Sequence, residues 1–159
     1  MKTYPLIYLL AVGMAVTGLG ASAAEPDISG LGVWEKAPHV LKDPARKLYV
    51  ALSEPLGLAD SSQADQFDVW GKLIYDEPQH HGRYGVMEEW VEMRLDCATL
   101  RYTARRYAML DGKGTILVDA TLTDPPKRVH KAWGDPDYMR FMQLTADIAG
   151  RKACAPSSD

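Results

Sequence analysis

The stretch that decides the fold is Trp90-Val91-Glu92-Met93-Arg94-Leu95-Asp96-Cys97, near the middle of the chain. Apolar and polar residues alternate along it, which predicts a β-strand with one buried face. The predicted buried face consists of Val91, Met93, Leu95 and Cys97, and the opposite face of Trp90, Glu92, Arg94 and Asp96.

Similar alternation before and after this stretch predicts further strands over residues 67–75, 100–110 and 115–122. Shorter apolar stretches lie at 33–34 and 48–52. We interpret residues 53–66 as a loop and 76–85 as a hairpin-type connection. The glycines of Asp111-Gly112-Lys113-Gly114 indicate a tight turn. Short connections between consecutive strands predict an antiparallel meander. Trp70 and Ile74 interrupt the polar face of residues 67–75, so we expect cover on both sides of the sheet.

A helix is predicted after Pro125-Pro126, which ends the run of strands. Asp135 is the expected N-cap, and Pro136 suits the first helical turn. Gly150 is expected to end the helix, with Arg151 and Lys152 near its negative end. Apolar residues recur at helical spacing between these ends: Tyr138, Phe141, Met142, Thr145 and Ile148.

The first 24 residues have the three parts of a secretory signal peptide: a cation at Lys2, an apolar run and small residues before a cleavage point after Ala23 or Ala24. No cysteine follows the apolar run, so a lipobox is not expected. We divide the chain into a signal peptide (1–24), a flexible lead-in segment (25–32), a single domain (33–155) and a tail (156–159). A retained N-terminal anchor is the alternative interpretation. We expect no further membrane span, and export to the periplasm, the cell surface or the medium.

Cys97 and Cys154 are the chain's two cysteines. An even number of cysteines in an exported chain predicts a disulfide more often than catalysis. This bridge would join the end of the predicted helix to the end of the strand that carries Cys97. Closing a loop of this length stabilises a fold by about 4 kcal/mol on the chain-entropy estimate.

Charge is distributed unevenly in a chain whose net charge is −3. Residues 25–92 carry −7, whereas residues 93–159 carry +3. One interpretation is a partner surface; the other is that neighbouring strands place complementary charges side by side. The acidic balance argues against nucleic-acid binding, because phosphate would be repelled.

The residues that could act in catalysis or bind a metal do not form a recognised catalytic pattern. His80 and His81 are adjacent, so on an extended chain they face opposite ways and rarely bind one metal ion. The glutamates Glu88, Glu89 and Glu92 have no clear acid–base partner at the separation that glycoside hydrolysis needs. We therefore expect no enzymatic activity, no metal and no cofactor. The candidate contact residues are arginines and aromatic residues on two strands: Trp90, Arg101, Tyr102, Arg105 and Tyr107. Surface ion pairs are the alternative role for the arginines.

The run from Trp90 to Cys97, followed by Arg101-Tyr102, Arg105-Arg106-Tyr107 and Asp111-Gly112-Lys113-Gly114, resembles the surface-adhesin protein E family. Trp133-Gly134-Asp135-Pro136, a helix and Cys154 continue the resemblance, which covers about residues 67–154. It implies an α+β fold, with about six antiparallel strands, a C-terminal helix and a Cys97–Cys154 bond.

Two functional hypotheses follow. The first is an exported, non-enzymatic domain that binds a protein or cell-envelope partner; a host matrix protein is implied only if the adhesin role of the family carries over. The second is a periplasmic small-ligand carrier or enzyme inhibitor, in which Arg101, Arg105 and aromatic neighbours bind an anion.

Overall fold

The computed structural model describes residues 32–37, 41–56, 65–132, 134 and 137–154. These residues form one antiparallel sheet and one helix, which confirms the predicted α+β fold with about six strands and a C-terminal helix. The elements in chain order are β1 (Glu35–Lys36), β2 (Arg46–Leu52), β3 (Gln66–His81), β4 (Tyr84–Asp96), β5 (Arg101–Leu110), β6 (Ile116–Thr121), β7 (Lys127–Arg128) and α1 (Tyr138–Ala153).

The strands form a meander in which each of β1 to β6 pairs with the next one along the chain. The short β7 returns to pair with the first two residues of β5. The predicted leader, the lead-in segment up to residue 31 and the tail lie outside the described residues. The boundaries of the predicted domain therefore stay predictions.

Helix α1 packs across β2, β3 and β4 and buries one face of the sheet. This face carries the alternating apolar residues that the sequence indicates, because every second side chain of a strand points the same way. The predicted inward face of β4 is confirmed, with Val91, Met93 and Leu95 fully buried and Cys97 packed beside them. The helix contributes Phe141, Met142, Leu144, Ala146 and Ala149 to this core.

The opposite face of the sheet has its own apolar cluster, which confirms the expected cover on both sides. Trp70, Trp90, Ala108 and Leu110 are buried there. Trp34 packs onto this cluster from the segment before β1 and so shields apolar surface that β3, β4 and β5 contribute.

Both predicted ends of the helix are wrong. The N-cap is Asp137, whose carboxylate accepts a hydrogen bond from the backbone N–H of Arg140 at 2.8 Å. The expected capping residues Asp135 and Pro136 lie outside the described residues, as does Trp133. Gly150 lies within the helix, which continues to Ala153 and ends at Cys154.

The predicted hairpin at residues 76–85 is confirmed, but its predicted extent is wrong, because both strands continue through it to a two-residue turn at Gly82, which has a φ of 63°. In β3, residues 75–78 stand opposite Met87 alone, so the paired strands bend there. We call residues 76–87 the β3–β4 ribbon. Val86 is fully buried in the helix-side core, so the ribbon folds back over that side of the sheet.

The predicted disulfide is confirmed. Cys97 and Cys154 are bonded, with their Cα atoms 5.1 Å apart, and the described residues contain no free cysteine. The bond joins the residue after β4 to the C-cap of α1 and so fixes the end of the helix to the sheet. Across the described part of the chain, no helix has the length and apolar character that a membrane span requires.

Candidate functional site

The five predicted contact residues do not form one site. Arg101 is exposed at the start of β5, beside the buried Tyr102. Tyr107 is buried on the helix side of the same strand. Trp90 and Arg105 belong to the opposite face of the sheet, where Trp90 is 8% exposed. The five residues therefore lie in three different places: at the start of β5, on the helix side of the sheet, and on its opposite face.

Arg105 is engaged in ion pairs on the outer face of the sheet. The β4–β5 register shifts between Glu92 and Met93, which leaves Arg105 as the extra residue of β5. Its guanidinium lies 3.3 Å from Asp68 Oδ1 and 3.8 Å from Glu92 Oε1. Arg94 contacts the same aspartate oxygen at 3.0 Å. These pairs join acids of the first half of the chain to bases of the second, as the complementary-charge interpretation expects.

Trp90 also has its surface covered. Its ring lies edge-on to Trp34 and Trp70, with centroids 5.6 and 6.2 Å away. The ammonium of Lys72 lies 4.7 Å from the Trp34 ring centroid and 5.2 Å from that of Trp90. A lysine of this chain therefore takes the position over the tryptophans that a cationic ligand would need.

Beside Tyr102, the structure forms an open groove of about 790 Å³ between β7, the segment after it and the first turns of α1. We call it the basic groove. Arg101 pairs with Arg128 in the β5–β7 register, so its backbone lies next to a residue of the groove wall. Among the described residues, the charged or ionisable ones that line the groove are Lys127, Arg128, His130, Lys131, Arg140 and the acid Asp137.

Two buried side chains of the helix hold the wall of the basic groove. The amide of Gln143 donates to the carbonyl of His130 at 2.8 Å and accepts from the Tyr102 hydroxyl at 3.2 Å. The carboxylate of Asp147, which is 5% exposed as a residue, accepts from the N–H of Ala132 at 3.1 Å. The backbone of residues 130–132 is thus fixed to α1, and the cations of this segment are presented on an ordered surface.

Two charged side chains of the groove, those of Lys127 and Asp137, interact with neighbouring groups in the described part of the chain. Lys127 Nζ donates to Asp124 at 2.7 Å, and Asp137 is used by the backbone of α1 as its N-cap. Arg128 and Lys131 are exposed. A concave surface with several cations and few acids attracts anions.

A second cavity, of about 360 Å³, lies under the β3–β4 ribbon at the start of α1. We call it the Glu89 cavity. Glu89 is 5% exposed and accepts hydrogen bonds from two buried tyrosine hydroxyls, Tyr75 on Oε1 and Tyr107 on Oε2. Tyr138 packs edge-on against Tyr107, with ring centroids 4.7 Å apart. The other lining residues are Arg46, Gln79, His80, His81, Met109 and Asp137.

Burial and the Glu89 carboxylate act together on the two tyrosines. Loss of solvent raises the pKa of the Tyr75 hydroxyl far above its ordinary range, and the hydrogen bond to Glu89 raises it further. The pKa of Tyr107 is raised in the same way by burial and by the charge of Glu89. Both hydroxyls therefore remain protonated and act as donors to Glu89 throughout the neutral range.

The two histidines of the ribbon lie at the Glu89 cavity. Within the described residues, no three His, Cys, Asp or Glu side chains are grouped as a metal site would require. His80 and His81 are exposed. Their position makes them part of the rim of this cavity.

The sequence contained signals for both cavities. Glu89 precedes Val91 and Met93 by two and four residues, so the alternation already places it on the buried face of β4. A glutamate on a buried face is unusual and indicates a specific environment. The basic groove is indicated by the cations of residues 127–131, which follow directly after Pro125-Pro126. The sequence-based prediction instead chose Arg101 and Arg105 of β5, which lie within a clearly patterned strand.

Comparison of the chain with known proteins gave no match to a family model, to a curated protein or to a solved structure.

Proposed function

We propose that this chain is an exported, non-enzymatic domain that binds an acidic segment of a protein or cell-envelope partner in its basic groove. The observation that carries the proposal is the concentration of Lys127, Arg128, Lys131 and Arg140 around one open groove. The chain as a whole has a net charge of −3, so this positive surface is a local departure from its composition.

The shape of the groove supports an extended ligand. It is open to solvent rather than enclosed, and its volume of about 790 Å³ is larger than a single small anion needs. An extended acidic segment would contact several cations at once, and opposite charge would guide it to the groove. Met139, which is 47% exposed, supplies apolar contact area between the charges.

Export is supported by the signal-peptide pattern and by the Cys97–Cys154 disulfide, because such bonds persist in oxidising compartments. The resemblance to surface-adhesin protein E agrees with the sheet, helix and disulfide, and it suggests a binding role at the cell envelope. A host matrix protein as partner rests on that resemblance alone.

The alternative function, a small-ligand carrier using Arg101 and Arg105, has less support. Arg105 is paired with Asp68 and Glu92 on the outer face of the sheet, whereas Arg101 borders the basic groove. The two arginines therefore do not share one binding site. A carrier of small anions would have to use the cations of the groove instead, and the same experiment distinguishes the two functions.

The test measures binding of a fluorescent peptide rich in Asp and Glu by anisotropy, and binding of inorganic phosphate by calorimetry. We expect the peptide to bind at low ionic strength, to be released by salt as the charges are screened, and phosphate to bind weakly or not at all. The double substitution Arg128→Glu and Lys131→Glu should abolish peptide binding. Both residues are exposed, so the fold should be unaffected.

The matched control is Arg83→Glu with Lys113→Glu, which reverses one exposed arginine and one exposed lysine outside the groove. This control should bind the peptide as the wild type does. Equal losses in both double variants, or no peptide binding by the wild type, would refute the proposal. Phosphate binding without peptide binding would establish the carrier function in its place.

A further inference from the structure

The Glu89 carboxylate is buried and forms no ion pair with the described residues, although Arg46 lies on the wall of the same cavity. Glu89 is 5% exposed, and its two hydrogen bonds come from the neutral hydroxyls of Tyr75 and Tyr107. No Lys, Arg or His nitrogen of the described residues forms an ion pair with it within 4.0 Å. Burying an unpaired carboxylate costs free energy, and the cost falls when a cation is supplied.

The two hydroxyls leave part of the carboxylate unused. An ionised carboxylate accepts about four hydrogen bonds, and two are made here. Glu89 lines a cavity of about 360 Å³, which is large enough for a small organic molecule. The remaining acceptor positions are therefore available to a ligand that has N–H donors.

The walls of the cavity suit a positive charge. The rings of Tyr75, Tyr107 and Tyr138 line it, and aromatic rings attract cations through their negative faces. Asp137 lines it as well, which adds a second carboxylate. These groups would stabilise an ammonium ion from several sides.

Arg46 limits which cation can enter. Its guanidinium carbon lies 5.7 Å from the Tyr75 ring centroid, and its Nε pairs with Asp43 Oδ2 at 3.2 Å. A positive charge on this side of the cavity disfavours a second ammonium group in the same ligand. It does not oppose a neutral tail, and it favours a carboxylate.

From these contacts we infer that the Glu89 cavity binds the primary ammonium group of a small monoamine or amino acid, with Glu89 as the ion-pair partner and hydrogen-bond acceptor. Among the described lining residues this site shares only Asp137 with the basic groove, and it takes the opposite charge. The inference therefore stands or falls independently of the proposed function.

The test follows the backbone amide and tyrosine ring signals of the full disulfide-bonded domain by two-dimensional NMR. The probes are propylammonium chloride, glycine, putrescine and tetramethylammonium chloride, each compared with sodium chloride at equal ionic strength. We expect saturable shifts of Tyr75, Glu89 and Tyr107 with propylammonium or glycine. Putrescine should bind more weakly because of Arg46, and tetramethylammonium should not bind because it has no N–H donor.

Binding by propylammonium alone identifies a monoamine ligand, and stronger binding by glycine identifies an amino acid. Glu89→Gln should weaken either by about tenfold or more, since the buried charge pair is lost. Glu77→Gln is the matched control, because Glu77 is exposed on the β3–β4 ribbon and does not line the cavity. It should bind as the wild type does.

Tyr138→Ala provides a second variant if Glu89→Gln does not fold. Tyr138 is only half-buried, and its loss opens the aromatic wall, so we expect severalfold weaker binding in a folded domain. The wild type alone can overturn the inference. It is wrong if neither propylammonium nor glycine shifts these residues, or if tetramethylammonium shifts them equally.

Discussion

Thr145 of α1 occupies the space directly above Gly71 of β3. A Cβ atom at position 71 would lie 2.7 Å from Thr145 Cγ2 and 3.0 Å from Val91 Cγ1, closer than side chains tolerate. The absence of a side chain at Gly71 thus sets how closely the helix approaches the sheet. All the groups that α1 supplies to the basic groove and the Glu89 cavity depend on that approach.

Gly71→Ala should destabilise the domain by about 1–3 kcal/mol, the usual cost of overpacking a core. Urea unfolding measures the change, and adding Thr145→Ala should recover part of it because Thr145 Oγ1 and Cγ2, which both crowd this Cβ, are removed while Val91 Cγ1 stays. Gly85→Ala is the control, since a Cβ there has an ordinary contact of 3.5 Å with Pro78. Similar losses for Gly71→Ala and Gly85→Ala would contradict the role assigned to the contact.

Replacing both Cys97 and Cys154 by alanine should lower the free energy of unfolding by about 4 kcal/mol, because the unfolded chain gains the freedom that the closed loop removes. The two cysteines are separated by 57 positions. Urea unfolding of the double variant and of the reduced wild type should agree. An unchanged unfolding midpoint after complete reduction would show that the bond does not stabilise the fold.

Asp147→Ala should destabilise the domain by about 1–3 kcal/mol, because the N–H of Ala132 would lose its acceptor. Hydrogen exchange should accelerate at residues 130–132, which form the wall of the basic groove. Arg151→Ala removes the exposed partner of the same carboxylate and should cost about 1 kcal/mol or less. If exchange at 130–132 does not change in Asp147→Ala, this carboxylate does not order the wall.

Stability should fall steeply above about pH 10, where tyrosines of an unfolded chain begin to lose their protons. The raised pKa values of Tyr75 and Tyr107 mean that the folded chain keeps these protons, so their stabilising effect is complete below that pH and is lost above it. Each residue contributes a slope of up to about 1.4 kcal/mol per pH unit.

Urea unfolding at a series of alkaline pH values measures this slope. Tyr107→Phe should reduce it by one group's contribution, although the variant is less stable at neutral pH because Glu89 loses a donor. A slope that is the same in Tyr107→Phe and in the wild type would show that Tyr107 does not titrate as described.

The strands and the disulfide could be predicted from the sequence, because each depends on a pattern that the sequence itself contains. Alternation along β4 depends only on the geometry of an extended chain, and a chain with two cysteines allows one intramolecular pairing. The full length of β3 could not be predicted from the sequence, because its last residues pair with β4 alone. Gly150 fits a helix end locally, but its carbonyl accepts a hydrogen bond from the N–H of Cys154, so the helix continues past it.

The two cavities needed tertiary information. The basic groove combines β5, β7 and α1, and the return of β7 to the start of β5 cannot be deduced from the residues of β7. The Glu89 cavity exists because the β3–β4 ribbon bends over the sheet. The position of Glu89 in the alternation of β4 indicated that its side chain is buried. Its tyrosine donors come from the two neighbouring strands and could not be identified from β4 alone.

The bond between Cys97 and Cys154 encloses every residue that lines the basic groove, from Tyr102 to Gln143. A protease that cuts the backbone once anywhere inside this ring produces two fragments that stay attached to each other through sulfur. A single proteolytic cut would therefore not release the groove from the rest of the molecule until a reductant is present.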